Sequence, residues 1–117
     1  MKKGSMIVDG THGVHHFVIA VAGSTFLRMR GLLWRPQLQR HEGMLLRACN
    51  SIHTFGMKYP IDVVFLRRDG CVLKVFESVL PRRIRGHLRA QCVLELAAGM
   101  AAASGIHPGV RVPIETL

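Results

Sequence analysis

The sequence has few aromatic residues, few acids and no long apolar segment. Phe, Trp and Tyr make up 6% of its 117 residues, and no apolar run approaches the roughly 18 residues of a membrane span. The N-terminal segment MKKGSMIVDG lacks the apolar stretch of a signal peptide, because Asp9 and Gly10 interrupt it. Neither a GxGxxG nor a Walker phosphate loop occurs. We therefore expect a cytoplasmic protein with no membrane contact and no cofactor.

Cysteine is also sparse, and its spacing excludes the common cysteine frameworks. Cys49, Cys71 and Cys92 are about twenty positions apart and form no CxxC pair. An odd, widely spaced set favours reduced thiols in a cytosolic protein. Cys49 and His53 are four positions apart, but a metal site needs about two further ligands in defined pairs. We therefore expect no metal site and no Cys–His nucleophile.

The sequence does contain enough apolar material for one core and a large excess of positive charge. Hydrophobic residues make up 49% of a chain that has the usual length of one domain. Sixteen Lys and Arg residues stand against seven acids, giving a formal net charge of +9, and twelve of the sixteen are Arg. Because Arg makes two-point contacts with phosphate and carboxylate, this bias indicates an anionic ligand or partner. GC-rich coding would give the same bias without a function, and we give that interpretation more weight.

Short β-rich runs separated by turn residues dominate the pattern along the chain. The predicted strands are Met6–Val8, Val14–Ala22, Gly43–Ala48, Ile61–Arg67, Cys71–Glu77, Gln91–Leu96 and a closing edge segment, Val110–Ile114. The dipeptide Asp69-Gly70 predicts a hairpin between the fourth and fifth of these strands.

The segments between these runs predict short helices and loops. Ser24 is suited to cap a helix over Thr25–Trp34, and Ala97–Ser104 is suited to a second helix ended by Gly105. We expect irregular backbone over Asn50–Pro60 and a basic loop over Pro81–Leu88. The prediction is therefore one mainly β domain, a small barrel-like or sandwich-like antiparallel fold with one or two short helices.

Three blocks of sequence, taken together, are more specific than any single motif. They are RMRGLLWRPQLQRHEGMLL from Arg28, CNSIHTFGMKYPIDVVFLRRDGCVLKV from Cys49 and CVLELAAGMAAASGIHPGV from Cys92. In this order and spacing they resemble the uncharacterised family called domain of unknown function 192, from about Thr25 onward. The resemblance implies a compact β domain with one or two short helices and no established activity. This chain departs from the family at Val110, where the family usually has Asp, so a site that uses this Asp would be altered here.

The middle block contains the most specific polar group, formed by His53, Met57 and Asp62. His53 could act as a base or ligand, with Asp62 orienting it. A structural role is the alternative, because a carboxylate at the start of a strand commonly bonds loop amides. We give the structural alternative more weight, since neither residue lies in a recognised catalytic motif.

Two isolated acids, Glu42 and Glu95, lie beside apolar runs. Glu95 stands between Leu94 and Leu96, so in a strand it points to the opposite face. If both faces of the sheet are covered, Glu95 requires a partner, and Arg28 or Arg30 could supply it. A buried ion pair and a ligand site both stay open for these residues.

The densest basic run comprises Arg82, Arg83, Arg85, His87 and Arg89. Such residues bind phosphate, but nucleic-acid binders usually add stacking aromatics, which this run lacks. Three functions therefore stay open. They are a binding or accessory module for an anionic ligand or partner, a small enzyme that uses His53 and Asp62, and a nonspecific nucleic-acid binder. We expect the first of these.

Overall fold

In the part of the chain that the structure describes, eight strands form two sheets of unequal size. The computed structural model describes residues 2–10, 13–22 and 37–117 of the chain. The strands are β1 (Lys2–Gly10), β2 (Gly13–Ala22), β3 (Glu42–Arg47), β4 (Ser51–His53), β5 (Ile61–Leu66), β6 (Val72–Val79), β7 (Ile84–Gly86) and β8 (Cys92–Ala97). A four-residue helix, α1, spans Met100–Ala103, and a 3-10 helix spans Ile114–Thr116. The predicted helix Thr25–Trp34 lies outside the described residues.

The larger sheet has six strands in the order β1-β2-β3-β8-β5-β6. Its neighbours are antiparallel except for β2 and β3, which run parallel. A parallel pair requires a crossover of a dozen or more residues, and the chain between Ala22 and Glu42 is long enough to supply one. The mainly β prediction is confirmed, with this one parallel pair as a difference. The sheets are not closed into a barrel, and the sandwich-like alternative fits.

The hairpin predicted from Asp69-Gly70 is confirmed. Strands β5 and β6 pair antiparallel, with Val64 opposite Val75. Gly70 has a φ of 92°, and a Cβ there would collide with the carbonyl oxygen of Val112. The Asp69 carboxylate accepts a hydrogen bond of 3.0 Å from the Cys71 N–H. Asp and Gly thus fulfil separate requirements of this turn.

The central strands of the larger sheet are apolar along almost their whole length, because both faces of the sheet are covered. All six residues of β5 and five of the six residues of β8 are buried. One core contains Phe17, Leu45 and Leu94 and packs beneath α1 and the C-terminal segment. The second core, on the opposite face, contains Phe65 and Val93 among others.

The second, smaller sheet is a ribbon of β4 and β7, in segments that we expected to be irregular. Ser51 pairs with Gly86, Ile52 with Arg85, and His53 with Ile84. Three-residue strands contain too few alternations to be recognised in the sequence, and their pairing joins segments about thirty residues apart. The predicted irregular backbone over Asn50–Pro60 and the predicted loop over Pro81–Leu88 are therefore wrong at these strands.

The C-terminal predictions also require adjustment. The expected edge segment Val110–Ile114 contributes an isolated bridge from Arg111 to Cys71 and the start of the 3-10 helix. The second predicted helix is shorter than its sequence pattern, since β8 continues to Ala97. Among the described residues, no helix is long and apolar enough to cross a membrane.

Candidate functional site

A cleft of about 500 Å³ opens where the ends of three central strands meet. Strands β3 and β5 end on either side of the start of β8, because both pair with it antiparallel. The residues that line the cleft are Arg47, Ala48, Cys49, Asn50, Arg68, Ala90, Gln91 and Cys92. Among the described residues, the lining contains two arginines, an asparagine and a glutamine but no Asp or Glu. Its volume lies in the range of small-molecule sites.

A bulge at the end of β3 shapes one wall of the cleft. Arg47 still pairs with Cys92, but Ala48 has a positive φ of 51°. The next residue, Cys49, then donates its backbone N–H to the carbonyl oxygen of Gln91 at 3.2 Å. This change of direction places residues on both sides of the bulge around the cleft.

The two arginines are positioned by different contacts. Arg47 Nη2 donates to a main-chain oxygen of Leu117, the last residue of the sequence, at 2.7 Å and to the carbonyl oxygen of Ile114 at 3.4 Å. The backbone N–H of Arg68 donates to Gln91 Oε1 at 2.8 Å, while the residue as a whole is exposed. Arg47 is therefore held from behind by the C-terminal segment, and Arg68 is anchored through its backbone beside Gln91.

Burial and two arginine charges act in opposite directions on the Cys92 thiol in the cleft. Burial raises the pKa of the Cys92 thiol, while the charges of Arg47 and Arg68 and a hydrogen bond from the Ala48 backbone oppose that rise. The charges of the two arginines therefore offset only part of the effect of burial on this thiol. Cys49 is half-buried, and its thiol donates to the carbonyl oxygen of Ser51 at 3.1 Å. Cys49 and Cys92 thus line the same cleft as Arg47 and Arg68.

Asp62, a predicted site residue, is fully buried at the start of β5. One carboxylate oxygen accepts the Ser78 N–H at 2.8 Å, and the other accepts the Ala101 N–H at 2.9 Å. Ser78 has a φ of 49° and lies in a β6 bulge opposite Asp62, while Ala101 is in the first turn of α1. Asp62 therefore joins an edge strand and a helix to β5. This is the structural alternative stated for it.

The structure places His53 and Met57 in different surroundings. His53 is exposed on β4, with its ring centroid 5.8 Å from that of Phe55. Met57 is half-buried and packs against the second core. Among the described residues, the Asp62 carboxylate bonds no histidine, and neither His53 nor Asp62 lines the cleft. Their acid–base pairing stays a prediction.

Glu95 is 4% exposed, in the middle of β8, between Met44 of β3 and Val63 of β5. Its side chain faces the second core, so the sheet is covered on both sides there. Burial raises the pKa of its carboxyl to about 8. Within the described parts of the chain, no group hydrogen-bonds this carboxyl. The expected partners Arg28 and Arg30 lie outside the described residues.

The other isolated acid, Glu42, has a local role. Its Oε1 accepts the backbone N–H of Gln39 at 2.8 Å at the start of β3. This is a turn contact at the entry of a strand, and it gives Glu42 a structural function.

Sequence reasoning missed Arg47, Asn50, Arg68 and Gln91 as a group. Arg47, Arg68 and Gln91 lie at or within two residues of the end of a buried apolar strand, and Asn50 directly precedes β4. That position is a weak signal by itself, because every strand has polar ends. Only the order β3-β8-β5 shows that these ends meet.

Comparisons with known proteins support the family and leave the function open. The family model of DUF192, described as an uncharacterized ACR, matches residues 6–114. No curated protein matches the chain. A solved structure of a protein of unknown function from Novosphingobium aromaticivorans DSM 12444 is 26% identical, with a TM-score of 0.82 over 94% of this chain and 84% of that one.

A second similar structure, "a putative transcription regulator" from Sinorhizobium meliloti 1021, is 25% identical. Its TM-score is 0.84, over 95% of this chain and 92% of that chain. The resemblance noted in the three sequence blocks is thus confirmed over nearly the whole length, since the matched region also includes β2 and the second half of β1. The chain belongs to the uncharacterised family DUF192.

Proposed function

We propose that this domain is a binding module for a small anionic ligand, which it holds in the cleft at the ends of β3, β5 and β8. The observation that carries this proposal is the lining, which among the described residues comprises two arginines, Asn50 and Gln91 and includes no Asp or Glu. A cleft lined by one sign of charge raises the local concentration of ligands of the opposite sign. The excess of arginine in the sequence has a functional use at this place.

Phosphate and carboxylate groups are the ligand chemistry that fits these side chains. A guanidinium group offers two parallel N–H donors to such a group. Arg47 is oriented in advance by its contacts to Leu117 and Ile114, which reduces the entropy lost on binding. Asn50 and Gln91 add amide donors at the same rim.

The enzyme hypothesis has weaker support. An acid–base pair requires Asp62 to interact with His53, whereas its two oxygens accept the N–H groups of Ser78 and Ala101. Nothing among the described residues gives that carboxylate access to a ligand in the cleft. The binding module therefore accounts for more of the geometry.

Calorimetric titration with inorganic phosphate and with pyrophosphate tests this proposal. We expect saturable binding that Arg68→Gln weakens by about tenfold, the loss of roughly 1.4 kcal/mol from one charged contact. Arg67→Gln is the matched control, because Arg67 is the exposed neighbour of Arg68 but does not line the cleft. Equal weakening by both substitutions would show nonspecific charge attraction and overturn the proposal, as would the absence of binding.

A further inference from the structure

The ribbon of β4 and β7 presents an unusual outer face. Ile52 packs against the second core and Arg85 lies with its guanidinium carbon 5.5 Å from the ring centroid of Phe76, so these paired residues face inward. By strand alternation, His53 and Ile84 face outward. Ile84 is 67% exposed, and Leu88, which follows the ribbon, is 96% exposed. The ribbon and the segment that follows it therefore expose apolar side chains to solvent.

No strand of the described residues pairs with the outer edge of β7. Thr54 N–H donates to Arg83 O and His87 N–H donates to Asn50 O, so Ile52 and Arg85 form the intervening hydrogen-bonded pair. In antiparallel pairing the residues between such pairs point their N–H and C=O groups away from the partner strand. At β7 these residues are Ile84 and Gly86, and both are exposed. Arg85 Nη1 donates to Ile84 O at 2.8 Å, while the two N–H groups face outward along the edge.

Positive charge surrounds this edge. Arg82, Arg83 and Arg89 are exposed, and no acid occurs between Leu80 and Gln91. None of the three forms an ion pair with an acid of the described residues, whereas Arg111 pairs with Glu115 at 3.2 Å. A short strand with charged flanks can protect an edge against aggregation. Protection against aggregation does not explain why Ile84 and Leu88 are exposed, because they add apolar surface beside the edge.

We propose that β7 is a docking edge for an extended acidic segment of a protein partner, which adds a strand beside Ile84 and Gly86. Backbone hydrogen bonds would provide affinity, and alternating apolar and acidic side chains would match Ile84 and the arginines. This surface shares no residue with the cleft that we propose for small anions. A second copy of the chain fits poorly, because it would bring the same arginines against each other. Nucleic acid fits less well than a peptide, because Ile84 and Leu88 cannot stack on bases.

Binding of a synthetic peptide of about eight alternating Val and Glu residues tests this proposal. We expect saturable binding and slower hydrogen exchange of the Ile84 and Gly86 amides in the NMR spectrum. A peptide that is N-methylated on the edge facing β7 should lose binding, because it keeps its charge but cannot form the ladder. Equal binding of the methylated peptide would overturn the added strand.

Charge-reversal variants provide a second test of the docking proposal. We expect Arg82→Glu with Arg89→Glu to weaken peptide binding by more than about tenfold. Lys2→Glu with Arg40→Glu makes the same change in net charge on β1 and before β3, and should leave the affinity within about twofold. Arg68→Gln should also leave it unchanged, which separates this surface from the cleft. Tighter binding of an oligothymidylate or of phosphatidylserine vesicles to the same arginines would assign the surface to those partners and overturn the proposal.

Discussion

Apolar side chains are buried in the six-stranded sheet but exposed at the two-stranded ribbon. In the sheet, Leu94 is fully buried and the strands β5 and β8 are covered on both faces. In the ribbon Ile84 is exposed, as is Leu88 just after it, and the neighbouring arginines form no ion pair with an acid of the described residues. Apolar residues thus hold the fold together in one region and are displayed in the other.

The two regions also differ in how they accommodate charge. The sheet contains two buried acids, Asp62 and Glu95, one held by backbone amides and the other with a raised pKa. The arginines of the cleft and of the ribbon lie at strand ends or in exposed segments, outside the buried part of the sheet. The difference fits the two proposals made above, in which the sheet is a scaffold and ligands bind at its strand ends and on the ribbon.

The largest expected effect comes from the same substitution made once in each region. Leu94→Ala should lower the free energy of unfolding by about 2–5 kcal/mol, because it leaves a cavity in a closely packed core. Leu88→Ala should change it by less than about 0.5 kcal/mol, because that side chain is almost fully exposed. Urea unfolding of wild type and both variants measures these two changes in the free energy of unfolding. A loss of stability in Leu88→Ala equal to that in Leu94→Ala would remove the distinction between scaffold and display surface.

Glu95 provides the next contrast, this time within the sheet. Its folded pKa of about 8 lies above the value of 4.5 for an ordinary Glu, so the folded state binds the proton more tightly. Stability should therefore be highest below pH 4.5 for this group and fall as the pH rises toward 8. Glu95→Gln removes the titration and should stabilise the fold at pH 7 by on the order of 3 kcal/mol. Thermal melts across this range, with wild type and Gln variant side by side, measure the difference.

The expected pairing of Glu95 with Arg28 or Arg30 leads to the opposite outcome. An arginine beside the carboxyl would stabilise its charged form, and Glu95→Gln would then lower stability at pH 7. Arg28→Gln and Arg30→Gln, each combined with Glu95→Gln, would reveal the pair through a coupling energy in a double-mutant cycle. Destabilisation by Glu95→Gln together with such coupling would establish the ion pair and contradict the neutral carboxyl.

Asp62 should show a smaller loss than the core leucine. Asp62→Ala leaves the N–H groups of Ser78 and Ala101 without their acceptor, which costs roughly 1–3 kcal/mol. Asp62→Asn should cost less, because it retains one acceptor oxygen. Asp9→Ala, at an exposed position of β1, is the control and should be nearly neutral. An Asp62→Ala variant as stable as wild type would contradict the structural role and favour the acid–base hypothesis.

Local chemistry made the scaffold predictable from the sequence. Asp69-Gly70 between β-branched runs specifies a turn without reference to the rest of the chain, and the hairpin of β5 and β6 is present. Glu95 between two leucines indicated a side chain on the opposite face of the sheet. These inferences rest on neighbours in sequence, where strand alternation and turn geometry apply directly.

The ribbon and the cleft were beyond the reach of such reasoning. Each ribbon strand is three residues long, and its pairing depends on how the second core folds beneath it. The cleft joins Arg47 to Arg68 through the intervening strand β8, which comes later in the chain than both. The Asp62 contacts to Ser78 and Ala101 likewise depend on a bulge and a helix that no local pattern specifies.

The central claim is that small anions bind in the cleft and not on the ribbon. An NMR titration with inorganic phosphate tests this directly, because each backbone amide reports its own surroundings. We predict the largest chemical-shift changes at the amides of Cys49, Arg68 and Gln91 and only small changes at those of Ile84 and Gly86. In Arg68→Gln we expect the cleft amides to shift no more than the ribbon amides. Shifts centred on the ribbon, or spread evenly over all basic surfaces, would contradict the claim.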